Sequence, residues 1–472
     1  MVATHRIRNA VRAFIASALL GSAVASSAAG TASVEKLQAE LTRAGKALDD
    51  VQPAATADYL DGNADRAFKR FMSVADENDW KSLFMLGNML FTQAPDESFR
   101  LHQRAHELSG GNDLTRLELA YDYTRRDECP QALAAWKRAD TAGLFRTYMP
   151  MLAAYCHLKL GDDAQAFAMV DRFQARHGQL ESALKDLWGE PVMRVHADTL
   201  GRFRTSGSAA DLDAALENSV RFDIGSDRGR ALLAIARTAT STKAPLGNTP
   251  TELDCLRTAM EKEASLPPDA GSDASKNAIR DEWKQRMDAC GFVLDGHALP
   301  ANAALARVLV VTAIELDIAS EQDLLTAHSK QLDERARSKA GDIAALRLLA
   351  AMQARVDDPA LQQTDELGWS RYADAEFAAS RLNTIFKPDA KPAPEDLARL
   401  AQAHRQFPDD ATILHLWLRH GTPSKDEARE GWRKLALMEF RKPSLQRDNM
   451  HFQLTAYTLY EALHEYRKAT GS

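Results

Sequence analysis

Ala120 and Ala154 stand 34 residues apart, and so do Ala132 and Ala166. In the stretch CPQALAAWKRAD (129–140), Ala132, Trp136 and Ala139 are spaced four and three apart, which places them on one helical face. The same spacing recurs 34 residues on at Ala166, Val170 and Phe173, and 34 residues back at Ser98, His102 and Ala105. A period of this length holds one helical hairpin. A hairpin that small cannot bury its own apolar face, so its copies must stack on one another. Ala132 and Trp136 therefore read as a small–large packing pair and not as a site.

Helical patterning continues along the whole chain, with no sustained alternation of β-branched residues. Breakers interrupt it at SGGND (109–113), STKAPLGNTPTE (241–252), LPPDAGSDAS (266–275), DGHALP (295–300) and FKPDAKPAP (386–394). The expected fold is all-α: antiparallel helical hairpins stacked as a solenoid, continuing into a further helical domain. The organisation expected is a leader helix over 26–51, repeats over 52–178, a central helical region over 179–385 and C-terminal hairpins over 386–472.

Residues 114–139 pair LTRLELAYDYTRR with PQALAAWKRAD, and residues 148–173 pair YMPMLAAYCHLKLG with DAQAFAMVDRF. Small residues at mid-helix, an aromatic in the second helix and the 34-residue period resemble tetratricopeptide repeats. Leu86, Gly87 and Ala105 supply a further copy, and Gly62, Ala67 and Phe71 a weaker one. The segment SVADENDWKSLFMLGNMLF is similar to the related Sel1-like repeat, and LARLAQAHRQFPDD (397–410) echoes a repeat junction through Ala403 and Pro408. His102 departs from the pattern where an aromatic is usual, and Phe173 where alanine is usual. The resemblance implies that the first helix of each hairpin lines a concave inner face. The inward positions are then Phe84, Asn88 and Phe91, next Leu117, Tyr121 and Arg125, and last Met151, Tyr155 and Lys159. That strip is apolar and aromatic with a basic edge, which suits a peptide bearing acidic groups. Equally open at this point is that Tyr121 and Tyr155 pad a helix covered by the C-terminal half.

The N-terminus carries Arg6, Arg8 and Arg12 before an apolar run from Ala13 to Ala25 that contains Ala23-Val24-Ala25. A basic head, a short apolar middle and an A-x-A exit form a secretory signal peptide over 1–25, with the mature chain expected to begin near Ser26. Cleavage after Ala28 or Ala29 is the alternative. A membrane span would need about 20 apolar residues. The expected address is a bacterial periplasm, with secretion as the alternative. Losing three arginines and no acid takes the formal net charge from −7 to −10, and no lysine- or arginine-rich block is present, which argues against nucleic acid as a partner. The run NAALARVLVVTAIEL (302–316) is broken by Arg307 and Glu315 and reads as a buried helix.

Motifs of chemistry are sparse. DGNAD (61–65) starts like a calcium loop, but Arg66 and Met72 stand where glycine and glutamate are required. HQRAH puts His102 and His106 on one helix face without a sequence-adjacent third ligand, so packing or surface roles are expected for both. SVEK (33–36) and SALK (182–185) match S-x-x-K without the accompanying S-D-N and K-T-G elements. Glu315 and Glu376 are the acids a cell-wall hydrolase would draw on, since they sit in rather apolar helices. The four cysteines are an even number, as befits an oxidising compartment. Cys255 and Cys290 lie at facing ends of a hairpin folded over LPPDAGSDAS and are expected to form a disulfide, while a Cys129–Cys156 pair is left open. The function expected is non-catalytic binding of a protein or peptide partner, without a cofactor or metal. The rival reading is a peptidoglycan-active enzyme with a helical superstructure.

Overall fold

The computed structural model describes residues 28–91, 94–139, 149–177, 192–219, 303–315, 320–387, 392–441 and 449–471, with isolated positions between 231 and 285. Every regular element among the described residues is a helix. The chain runs through α1 (Ala28–Leu60), α2 (Ala64–Met72), α3 (Trp80–Leu90), α4 (Pro95–Leu108), α5 (Asp113–Arg125), α6 (Cys129–Ala139), α7 (Met149–Lys159) and α8 (Asp163–His177). It continues through α9 (Val192–Ser206), α10 (Ala209–Ser219), α11 (Ala303–Glu315), α12 (Glu321–Arg337), α13 (Ile343–Arg355), α14 (Leu361–Tyr372) and α15 (Ala375–Ile385). Last come α16 (Pro394–Gln406), α17 (Ala411–His420), α18 (Lys425–Arg441) and α19 (Asn449–Thr470). No described helix is long and apolar enough to cross a membrane.

Local chemistry sets the helix ends. Pro95 opens α4 at a position whose N–H would have no partner, with Asp96 and Glu97 favourably placed in the first turn. Helix α4 ends in SGGND, where Gly110 and Gly111 both take positive φ (68° and 78°), a conformation that costs glycine least. Asn112 then caps α5, its side chain accepting the Thr115 N–H at 3.0 Å. In the later junction Asp410 caps α17 in the same way, accepting the Ile413 N–H at 2.9 Å.

The helices divide into two compact units, α1–α8 with α18 and α19 in one, and α9–α17 in the other. In the first, α3 packs on α4, α5 on α6 and α7 on α8, and successive hairpins meet through α4–α5 and α6–α7. The mid-helix small residues Ala120, Ala132, Ala154 and Ala166 are all 0–1% exposed, and Trp136 is buried beside them. The packing role expected for these residues is what they have. The array does not end at α8. Helix α18 packs on α7, and α19 packs on α18, so a hairpin from the far end of the chain closes the stack. Residues 386–472, grouped as one segment by their sequence, are thus shared between the two units.

The second unit repeats the hairpin plan with α12–α13, α14–α15 and α16–α17. One core gathers Ala306 and Val310 of α11 with Leu324 and Leu332 of α12 and Leu349 of α13. Another joins Trp369, Phe377 and Leu382 to Leu400 and Ile413 of the last two helices. Val308, Leu309, Val310 and Ala313 are at most 1% exposed, so the apolar run of α11 is a core helix, as its interrupting charges imply.

Candidate functional site

The first helices of the hairpins carry the expected strip, and its residues meet three different fates. Phe84, Leu117 and Met151 are buried in the stack. Asn88, Phe91, Tyr121 and Arg125 are half-buried, and Lys159 is exposed. Phe91 and Tyr121 stack with ring centroids 4.9 Å apart. The Arg125 guanidinium lies 4.1 Å from the Phe91 centroid and donates to the Phe91 carbonyl at 3.1 Å. Neighbouring hairpins therefore bring Phe91, Tyr121 and Arg125 into one aromatic–cationic patch. Desolvation lowers the pKa of Arg125, the mark of a cation drawn partly into the protein.

Tyr155 is not part of that surface. It is 2% exposed, and its ring packs against Phe440 of α18 with centroids 5.7 Å apart. Its hydroxyl donates to Asp127, which also takes Lys159 Nζ at 2.6 Å. Burial, and then the hydrogen bond to Asp127, push the phenol pKa up. Around this contact Arg433 donates to the Leu158 carbonyl and Arg441 to the Arg125 carbonyl, at 3.0 Å for the latter. The face of α7 expected to be an open groove is occupied by the chain's own C-terminal hairpin. Periodicity identifies a face that needs covering but does not say what covers it, and here the cover lies 275 residues or more away in sequence.

A second feature is a polar cluster. His102 of α4 is fully buried, and its Nδ1 is 2.7 Å from Asp122 Oδ2 on α5. Glu118, one turn before Asp122, is 4% exposed, and its Oε2 has no hydrogen-bond partner. Ligand atoms of His102, Glu118 and Asp122 all fall within 4.8 Å of one another. An imidazole and two carboxylates so grouped form a donor set for a divalent ion. Burial, chiefly, raises the Glu118 pKa to about 7, with the Asp122 charge adding to the effect. Burial opposes the His102 cation, yet the charge and hydrogen bond of Asp122 hold its pKa above the ordinary value. Gly87 makes room for the ring, since a Cβ there would sit well inside contact distance of the imidazole.

His106 does not join the cluster; its Nδ1 meets Thr115 Oγ1 at 2.9 Å. The HQRAH pair therefore splits between two partners on α5. Glu118 and Asp122 escaped the sequence reading because LTRLELAYDYTRR carries no metal motif and reads simply as the first helix of a hairpin. The available signal was an i, i+4 acidic pair at core-facing positions, set against a histidine where the repeat pattern favours an aromatic. Among the other candidates, Glu376 is exposed in the first turn of α15, whereas the Glu315 side chain lies outside the described residues. The Cys255–Cys290 pairing and SALK fall outside them too. Ser33 and Lys36 are in α1, and DGNAD forms the turn before α2, with Asn63 at its N-cap. The pairing left open by the sequence is formed, with Cys129 at the start of α6 bonded to Cys156 in α7 across a Cα separation of 5.0 Å.

These features define an all-α protein of stacked helical hairpins with a half-buried aromatic–cationic patch and a buried acidic cluster. No protein-family model matches the chain, and no curated protein matches its sequence.

Proposed function

We propose that the protein is a non-catalytic helical-repeat scaffold of the bacterial envelope, periplasmic in location, that holds a polypeptide partner. The repeats would be of the tetratricopeptide or Sel1-like kind. The observation that carries the reading is the patch of Phe91, Tyr121 and Arg125, which presents stacked rings and a guanidinium on adjacent first helices. Rings of this kind give contact area at low entropic cost, and Arg125 favours a partner segment carrying carboxylates. Among the described residues, the carboxyl groups whose pKa burial raises most, Glu118 to about 7 and Asp365 to about 6, are 4% and 1% exposed, a placement that supports binding over hydrolysis of a polymeric cell-wall substrate at either.

A photo-crosslinking residue placed at Tyr121, in protein expressed in its native host, tests the proposal. Adducts with one envelope polypeptide are expected from position 121 and not from Val74, which is exposed in the turn after α2. Tyr121→Ala should lose that partner while the melting temperature changes little, and N-terminal sequencing should begin near Ser26. Unfolding of Tyr121→Ala, or equal adducts from both positions, would show the patch to be structural.

A further inference from the structure

We propose that His102, Glu118 and Asp122 bind one divalent transition-metal ion of the zinc class, which staples α4 to α5 and hence one hairpin to the next. The ligands come from two rigid helices. Glu118 and Asp122 are four residues apart on α5, so their carboxylates project from the same face, and His102 approaches from α4 with Nδ1 directed at them. Zinc bonds to nitrogen and to carboxylate oxygen are about 2.0–2.2 Å long, which sets neighbouring ligand atoms about 3.3–3.6 Å apart in a tetrahedral site. The present 2.7 Å from Nδ1 to Oδ2 and the 4.8 Å outer limit bracket that range, so small side-chain rotations suffice.

The independent observation is Glu118 Oε2, a buried carboxylate oxygen lying in this cluster with no hydrogen-bond partner. A buried polar atom left unsatisfied is unusual in a native interior, and an ion is one of the few groups that satisfies it together with its neighbours. A dication would also balance the two carboxylates that the fold withdraws from water. On the opposite edge of the ring Nε2 has no hydrogen-bond partner, and the Phe84 backbone is the acceptor nearby that would take its proton, as a second-nitrogen partner does for a metal-bound imidazole. Gly87 leaves room for the ring to lie against the backbone of α3.

The test uses the untagged mature chain with its disulfide intact, stripped with chelator and then incubated with zinc chloride. After desalting, mass spectrometry of the metal should show about one zinc per chain, with a raised melting temperature relative to the stripped protein. Cobalt(II) in place of zinc should give the visible absorption of a low-coordinate site. Glu118→Gln keeps the shape while removing a ligand charge, so it should fold, melt no lower than stripped wild type, and lose both the zinc and the cobalt spectrum. His106→Gln, outside the cluster, should keep them. Stripped protein that takes up no zinc overturns the proposal, and so does a Glu118→Gln variant that binds it as wild type does. Loss of zinc in His106→Gln equal to that in Glu118→Gln overturns the assignment of the ligands.

Discussion

The closure of the hairpin array by α18 and α19 predicts that Phe440→Ala destabilises the unit containing α7, although the two helices are far apart in sequence. Phe440 is 0% exposed and faces Tyr155, itself 2% exposed. Losing the buried ring forfeits about 1.5–3 kcal/mol of transfer free energy. A residual cavity of about 80 Å³ adds about 2 kcal/mol at roughly 24 cal/mol per Å³. The expected loss is therefore about 3–5 kcal/mol, the usual range for a buried Phe→Ala. Urea unfolding followed by circular dichroism measures it, and hydrogen exchange locates it: amides of both α7 and α18 should lose protection together. A double-mutant cycle with Tyr155→Ala isolates the ring–ring contact, which should couple by about 0.5–1.5 kcal/mol. A loss below about 1 kcal/mol, or faster exchange in α18 with none in α7, would refute the claim that the C-terminal hairpin completes the stack.

Two further outcomes follow from the same contacts. Replacing Cys129 and Cys156 with serine should cost about 3–4 kcal/mol in the chain-entropy model, given the 27-residue separation, and reductant should lower the melting temperature of the wild type by more than that of the double variant. Asp365 has a folded-state pKa raised by burial to about 6, against about 3.8 for the unfolded chain, so its ionisation opposes folding. Stability of the α9–α17 unit should be highest below the lower value, fall by about 1–2 kcal/mol as pH rises through 6 and stay level above, after allowance for screening. In Asp365→Asn that decline should be absent from urea midpoints taken between pH 4 and 7.5, and an unchanged decline would assign the titration to another group.

Much of the architecture was legible because its causes are local. Helix ends follow from caps such as Asn112 and Asp410, the sharp stop at SGGND from two glycines that accept positive φ, and the burial of Ala120 and Ala154 from the need of neighbouring helices for close approach. Each of these is decided within one or two turns of chain, so pattern and residue type suffice. The functional candidates were legible only in part. Phe91, Tyr121 and Arg125 could be assigned to neighbouring hairpins by their spacing, but whether they would touch depended on the stacking of one hairpin upon the next.

The remainder belongs to tertiary structure. An amphipathic helix specifies that its apolar stripe must be covered, and any apolar surface of matching shape satisfies that demand. Only the folded chain decides that α18 covers α7, turning Tyr155 from a groove residue into core. The same holds for His102, Glu118 and Asp122. Each alone is an ordinary polar residue on a helix, and their chemistry arises because α4 and α5 bring an imidazole and two carboxylates together where water does not reach. The sequence by itself determined the helices, their turns and the fact of stacking. Which surfaces meet, which charges are buried together and which cysteines are bonded were set by long-range packing, whose free energy depends on shape complementarity between segments that no local pattern records.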